Sequence, residues 1–414
     1  MSTPQAPFTA PPPPAPGAPP QLNFLSVLQR MLSVSDKVSD LIFSPGRPPQ
    51  VELLGELQAV PVPGLEKLLP AHTAALAKII IGNHQTAGEN LDKLGSADLS
   101  FSAPGFARFR VNIFMQRGTH AIVMRVIPNR PPQWEDYNLP PVLKEVVGLK
   151  NGVVIVTGPT GSGKSTTLAA IIDLVNQTKA YHIVTIEDPI EFLHPHKNST
   201  VHQRELHSDT PSFSLALRAA LRQAPKVILV GEMRDRETIE VALEAAETGH
   251  LVLSTLHTID AAKTVDRIIG VFPKSEEKSI RTRLSQSFRF IVSQRLIPRA
   301  DRQGRIAAIE ILKSTARTRE YMEYGEREGK SLTDAMEQGD LDGMQTFDGV
   351  LERYVREGIV KKEDAMSYAT NPGNFLLRLS DMGAPGTGAP AAPAGTPARP
   401  PAANNGNSML DMIE

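Results

Sequence analysis

The sequence predicts an α/β protein: a small α+β domain, then a larger domain on a mostly parallel sheet with a helical C-terminal part. Three observations predict it. Short apolar, β-branched runs at 153–157, 182–187, 227–230 and 251–255 alternate with helical stretches, the pattern of a parallel sheet covered on both faces. A glycine-rich segment at 158–165 joins the first run to a helical stretch. Upstream, 107–114 alternates apolar and polar residues, as a half-buried strand does, and the apolar run 121–127 pairs with it naturally.

Taken in order, residues 1–20 are mostly Pro, Ala and polar, with Pro11 to Pro14 consecutive. Such a segment cannot bury a core and is expected to be disordered. The first domain is expected over 21–128. Residues 22–34 carry apolar side chains at helical spacing, and 39–43 and 51–54 read as strands around a Pro-Gly turn. A helix is expected over 70–81 and a further strand over 97–101. On the strand at 107–114, Arg108, Arg110 and Asn112 share one face. The stretch from Pro128 to Pro141 holds five prolines and the only Trp, so 129–141 reads as an interdomain linker. The second domain is expected over 142–382, and the chain looks helical beyond about Ile311. A Pro, Ala and Gly-rich tail, 383–414, is again expected to be disordered.

Composition excludes several classes. The chain has 414 residues, 44 Lys and Arg against 45 Asp and Glu, and a net charge of −1. No broad polyanion-binding surface is implied. With one Trp and six Tyr, a stacking platform for single strands is not expected either, so no nucleic-acid partner is expected. The absence of Cys excludes disulfides, thiolate nucleophiles and Cys-ligated zinc. No apolar run reaches the length of a membrane span, and the N-terminus lacks the pattern of a signal peptide. A cytoplasmic location is expected.

The segment Gly158-Pro159-Thr160-Gly161-Ser162-Gly163-Lys164-Ser165, followed by Thr166, fits G-x-x-x-x-G-K-[ST], the phosphate-binding P-loop. Its strand–loop–helix context is the one the motif requires. Glycines let backbone N–H groups turn toward phosphate oxygens, and the helix N-terminus favours negative charge. Lys164 is expected to reach the β- and γ-phosphates, and the Ser165 hydroxyl to ligate Mg²⁺. The run at 227–230 ends in Gly231-Glu232-Met233-Arg234-Asp235. In P-loop enzymes such a strand is expected beside the P-loop strand, with an acid at its tip facing metal or water. Glu232, the first acid beyond the buried run, is the expected water-activating base and metal ligand.

Three further groups are less decisive from residues alone. Thr185 to Glu191 ends another apolar strand with three acids in five residues, Glu187 among them. They suit metal-bound water or a surface turn equally. His250 and His257 flank the run at 251–255, where a histidine can sense a γ-phosphate or serve the fold. Arg110 and Arg125 lie on adjacent expected strands of the first domain. Phosphoryl transfer gains from an arginine brought in from elsewhere, but spacing alone does not single these two out.

Occurring together and in this order, the blocks resemble the secretion and type IV pilus motor ATPases, in particular their PilT/PilU retraction branch, over about 22–382. The resemblance makes 185–191 similar to the family's Asp box, 228–235 to its Walker B segment and 249–258 to its His box. Arg108 to Asn112, with Arg125, is similar to the segment that supplies active-site arginines. It implies a PAS-like N-terminal domain, a RecA-like ATPase domain, and ATP with Mg²⁺ as cofactors. Glu232, Lys164, His257, Arg110 and Arg125 would be catalytic. Gly158 to Thr166, Glu187 and His250 would hold the nucleotide, and Ser165, Glu187 and Glu232 the metal. It also implies a homohexameric ring that drives pilus retraction and twitching motility against an inner-membrane platform protein, peripherally at the inner membrane. A paralogous retraction ATPase is a further candidate partner. Alternatives within the family are a PilU-like accessory retraction motor, or a pilus extension or type II secretion ATPase. The last two usually carry a tetracysteine zinc insertion, which a chain without Cys does not have. Two departures stand out. Position 42 is Ile where the family often has His. The helix carrying Ala-Ile-Arg-Asn-Leu-Ile-Arg in PilT reads Ala316-Arg317-Thr318-Arg319-Glu320-Tyr321-Met322.

Overall fold

The computed structural model describes residues 23–128 and 130–380. The terminal segments expected to be disordered lie outside the described residues. The first domain begins with α1 (Phe24–Leu32), whose Asn23 side chain accepts the Ser26 N–H. Phe24, Val27, Leu28 and Met31 form its buried stripe, at the spacing that places side chains on one helix face. β1 (Val38–Phe43), β2 (Gln50–Leu53) and β3 (Glu56–Ala59) follow. Then come α2 (Pro70–Ile81), α3 (Gln85–Leu94), β4 (Ser96–Ala103), β5 (Ala107–Gln116) and β6 (Thr119–Ile127). The strands form one antiparallel sheet in the order β3-β2-β1-β6-β5-β4. On β5, Phe109, Val111 and Ile113 enter the core, so Arg108, Arg110 and Asn112 face outward by strand alternation. β3 and α3 are additions to the sequence reading. α3 buries just Ala87 and Leu91, too few apolar positions to stand out as periodic.

The expected linker is packed rather than free. Trp134, Leu139, Leu143 and Val146 are buried in the same cluster as Leu168, Ile171 and Ile172 of the second domain. The Gln133 side-chain amide donates to Asp173 Oδ2 at 3.0 Å.

The second domain contains β7 (Gly152–Thr157), α4 (Lys164–Thr178), β8 (His182–Glu187), β9 (Thr200–Glu205), α5 (Phe213–Ala220) and β10 (Val227–Val230). It continues with α6 (Arg236–Glu247), β11 (Leu251–Leu256), α7 (Ala261–Gly270), α8 (Glu277–Ser287), β12 (Phe288–Pro298) and β13 (Arg305–Lys313). The sheet order is β13-β12-β7-β11-β10-β8-β9, parallel throughout except for β13. Alternate residues of each strand enter opposite apolar layers. Val153, Ile155, Val184, Ile228 and Val252 pack on one face, and Val154, Val156, Ile183, Leu229 and Leu253 on the other. Burial on both faces is why these strands read as unbroken apolar runs.

One expectation is corrected. β10, which carries Glu232 at its tip, is not beside the P-loop strand β7, because β11 lies between them. Local sequence carries no information on which strand is inserted between two others. The antiparallel β12–β13 pair and the polar edge strand β9 are further additions. A helical C-terminal part completes the chain: α9 (Ala316–Tyr324), α10 (Leu332–Glu337), α11 (Phe347–Arg356), α12 (Lys362–Tyr368) and α13 (Pro372–Ser380). No helix among the described residues is long and apolar enough to cross a membrane.

Candidate active site

In a parallel sheet every carboxyl strand end falls on one edge, and helix N-termini gather there. The P-loop leaves β7 at that edge. Gly158 has φ +143°, and a Cβ there would lie 2.4 Å from the Gln294 carbonyl oxygen and 2.6 Å from Ser162 Oγ. Glycine is therefore required at this close approach. Gly163, in the left-handed region, caps α4, and the N-terminus of this 15-residue helix opens toward the loop. Lys164 Nζ folds back across the loop, donating to the carbonyl oxygens of Gly158 (2.9 Å) and Pro159 (3.1 Å). Burial pushes its pKa down, and Glu232 pulls it back up. Ser162 Oγ is buried without a hydrogen-bond partner among the described residues. A loop with an unpartnered hydroxyl, a lysine and a helix N-terminus fits a polyphosphate.

Glu232 is held from two sides. The Gly231 N–H donates to the Ile186 carbonyl at 2.7 Å, joining the ends of β10 and β8. Thr255 on β11 donates its hydroxyl to the Gly231 carbonyl at 2.6 Å and accepts the Met233 N–H at its own carbonyl, 3.2 Å. The Glu232 Oε2 then lies 2.7 Å from Arg234 Nη2 and 3.3 Å from His257 Nε2. His257 Nδ1 lies 3.4 Å from Lys164 Nζ. With the lysine donating to Nδ1, the imidazole carries its proton on Nε2 and offers it to Glu232. Lys164, His257 and Glu232 thus form one chain of contacts across the pocket.

Glu187 takes the Thr185 hydroxyl at 2.6 Å and the Gln203 amide at 3.1 Å. Burial pushes its pKa up to about 7; those two hydrogen bonds and one from the Glu191 backbone N–H oppose the rise, and the Glu191 charge adds slightly to it. The next peptide bond, Asp188–Pro189, is cis. These residues surround a cavity of about 670 Å³, also lined by Thr160, Gly161, Gly163, Ser165 and Thr166. Arg110 reaches its wall from the first domain. A cavity of this size suits a nucleotide.

Two expected site residues are not brought in. His250 precedes β11, while the P-loop follows β7, so it sits at the opposite sheet edge, about 20 Å away at the rise of a strand. Its Nδ1 lies 3.0 Å from the Ala245 carbonyl oxygen. It does not reach the nucleotide cavity. The direction of a parallel strand predicts this, since a residue before the strand cannot share an edge with one after it. Arg125 stands directly opposite Arg110 in the β5–β6 ladder but does not line the cavity. Its Nε donates to Asp40 Oδ1 at 3.0 Å, which draws it toward β1 and leaves its side chain 69% exposed.

Several cavity residues were not anticipated. Arg234 engages Glu232, and Leu296 and Arg305 line the wall from β12 and β13. Gln203 grips Glu187 from a polar edge strand that gives no local signal. His194 is buried, with its Nδ1 unpartnered among the described residues, and burial lowers its pKa to about 4.

The family model described as type II/IV secretion system protein matches residues 97–357. This chain belongs to that family. The type IV pilus retraction ATPase PilT of Pseudomonas aeruginosa is 45% identical over 345 residues, 83% of this chain and 97% of that protein. A twitching motility protein of Neisseria gonorrhoeae is 43% identical over 325 residues, 78% of this chain and 84% of that one. The P. aeruginosa type IV pilus ATPase PilU is 38% identical over 348 residues, covering 84% and 89%. Among solved structures, the pilus retraction motor PilT with bound ADP aligns with TM-score 0.75 and 40% identity. It covers 86% of this chain and 99% of that one. The Legionella pneumophila ATPase DotB aligns with TM-score 0.72 and 29% identity, over 88% and 98%.

Proposed function

We propose that the protein is an ATP-hydrolysing motor of type IV pilus retraction, acting as a homohexameric ring on an inner-membrane platform protein. The observation that carries the chemistry is the contact chain Lys164–His257–Glu232 beneath a P-loop, in a cavity that Arg110 enters from the other domain. The relatives named for pilus retraction and twitching span nearly its whole folded length, which supports the motor assignment.

Residues 158–166 would hold the triphosphate of ATP, and Ser165, Glu187 and Glu232 would hold Mg²⁺. Bound metal supplies positive charge that neutralises phosphate oxygens. Lys164 adds a second positive charge at the same place. Arg234 and His257 aim the Glu232 carboxylate, which would take the proton of the attacking water. Arg110 would offset γ-phosphate charge from the first domain. Arg125 would reach a nucleotide only after leaving Asp40. His250 has no part in this reading.

The test has two parts. The purified chain should hydrolyse ATP with Mg²⁺, and Lys164→Ala should abolish it. Deleting the gene in its native host should leave many surface pili and no twitching. Loss of pili instead would mean extension and overturn the assignment. The reading of α9, Ala316-Arg317-Thr318-Arg319-Glu320-Tyr321-Met322, favours a second possibility, an accessory retraction motor. Such a motor would fail to restore twitching by itself in a host lacking its other retraction ATPases.

A further inference from the structure

Arg108 and Arg110 share the outward face of β5, two residues and thus about 7 Å apart along the strand. Arg110 lines the nucleotide cavity. Arg108 instead crosses to the second domain, where its Nη2 lies 2.9 Å from Glu205 Oε2. Glu205 ends β9 and is 3% exposed. The same oxygen accepts the Ile190 backbone N–H at 3.0 Å. Ile190 sits inside the acidic turn whose Glu187, Asp188, Pro189 and Glu191 line the cavity. Two residues earlier on the same face of β9, Gln203 donates to Glu187 Oε1 and to the Phe192 carbonyl, 3.1 and 2.9 Å. Its own Oε1 accepts the His194 N–H at 2.8 Å.

One edge strand therefore grips the acidic turn from beneath, and one of its two gripping side chains also docks the first domain. The pair is a poor source of stability. Arg108 Nε is buried without a partner among the described residues, and a buried ion pair with an unmet donor barely repays its desolvation. What such a pair does supply is geometry, because a charge-assisted contact from a half-buried arginine to a buried carboxylate tolerates little displacement.

Resting on the ATPase reading above, we infer that the Arg108–Glu205 pair is an interdomain pin that sets Arg110 in the nucleotide cavity, in register with the acidic turn. Glu205 is then a positioning residue for hydrolysis. It acts through Arg110 and touches no substrate itself. Misplacing a catalytic group by about 1 Å costs up to ~10²-fold in rate, and a lost pin allows that much.

The experiment measures steady-state ATP turnover of the full chain with Mg²⁺. The variants are Glu205→Gln, Arg108→Gln, Arg108→Lys, Arg110→Ala and the Glu205→Gln/Arg110→Ala double. Glu205→Gln keeps an acceptor for Ile190 N–H but loses the charge. It and Arg108→Gln should each lower kcat about 10- to 100-fold with KM for ATP nearly unchanged. Arg108→Lys, which keeps a charge, should recover most of the loss. In the Arg110→Ala background, Glu205→Gln should cost nothing further. Parent-like turnover in both single variants overturns the pin, as does an equal extra loss in the Arg110→Ala background. If Glu205→Gln does not fold, Arg108→Gln on the more exposed side reads the same contact. A parent inactive toward ATP would overturn the ATPase reading and not the pin. The pin is then read by limited proteolysis between Pro128 and Pro141, which both pin variants must accelerate, and unchanged cutting refutes it.

Discussion

Replacing Glu310 by Gln should make stability less dependent on pH, and the fold sets the sign. Thr157, Ser293 and Glu310 stand directly opposite one another across β7, β12 and β13. Thr157 and Ser293 are fully buried and Glu310 is 4% exposed. The Thr157 hydroxyl donates to Ser293 Oγ at 3.0 Å, and Glu310 Oε1 accepts the Ala261 N–H at 2.8 Å. That N–H opens α7, just after the loop that carries His257. Burial raises the carboxyl pKa from 4.5 to about 7. The Ala261 N–H, Arg295 and the Ser293 hydroxyl oppose the rise, and Asp260 adds to it.

The folded protein thus holds a proton on Glu310 at a pH where the unfolded chain has released it. Stability from this group is complete below about pH 4.5, falls as pH rises toward 7, and is gone above that. A rise of this size corresponds to at most about 3 kcal/mol. Glutamine still accepts the Ala261 N–H but cannot ionise. The melting temperature of Glu310→Gln minus that of the parent should therefore increase from pH 5 to pH 8. For a domain of this size 1 kcal/mol moves Tm by about 2–4 °C, so an increase of roughly 5 °C is expected. Calorimetry of both proteins at pH 5, 6, 7 and 8 reads it. Glu187, also raised to about 7 by burial, is present in both and cancels in the difference. A difference that stays flat across the series would refute the argument, since Glu310 would then hold its proton no more tightly in the folded chain than in the unfolded one.

Other outcomes follow from the cavity. Lys164→Ala should lose ATP hydrolysis while circular dichroism stays unchanged. Glu232→Gln should bind an ATP analogue with parent affinity, measured by fluorescence titration, and lose turnover by about 10²–10⁴-fold. Gly158→Ala forces a methyl group to 2.4 Å from the Gln294 carbonyl oxygen, so its Tm should fall by at least about 3 °C, the effect of ~1 kcal/mol of overpacking. Light scattering with nucleotide should give the mass of six chains, and a monomer at micromolar concentration would count against the ring.

The elements legible in the sequence are those whose burial is complete or whose ends are chemically marked. β8 and β10 match the expected runs residue for residue because both faces are covered. α2 does so because Pro70 stands at its first turn, where a missing N–H costs nothing. β9 was hidden because an edge strand reading Thr-Val-His-Gln-Arg-Glu buries just Val201 and Glu205. Its function is hidden for the same reason: Gln203 and Glu205 act on residues 9 to 97 positions away. Within the site, Lys164, Glu232, His257 and Arg110 line one cavity. Arg125 does not, because its position is decided by Asp40, 85 residues earlier, and no spacing rule connects the two.

The inserted strand explains the arrangement of the Lys164–His257–Glu232 contacts. Were β10 beside β7, an acid at its tip would face the P-loop lysine directly. With β11 between them, the carboxyl end of β11 opens into the gap, and whatever follows that strand must fill it. Thr255 uses its position near that end to bind the β10 tip, donating to the Gly231 carbonyl. His257, just beyond, spans the rest of the distance, 3.4 Å to Lys164 on one side and 3.3 Å to Glu232 on the other. A ring with a nitrogen on each side is suited to that place, since it meets an ammonium and a carboxylate at once. A histidine at the near end of this strand follows from the sheet order, whereas His250 stands at the far end, away from the P-loop.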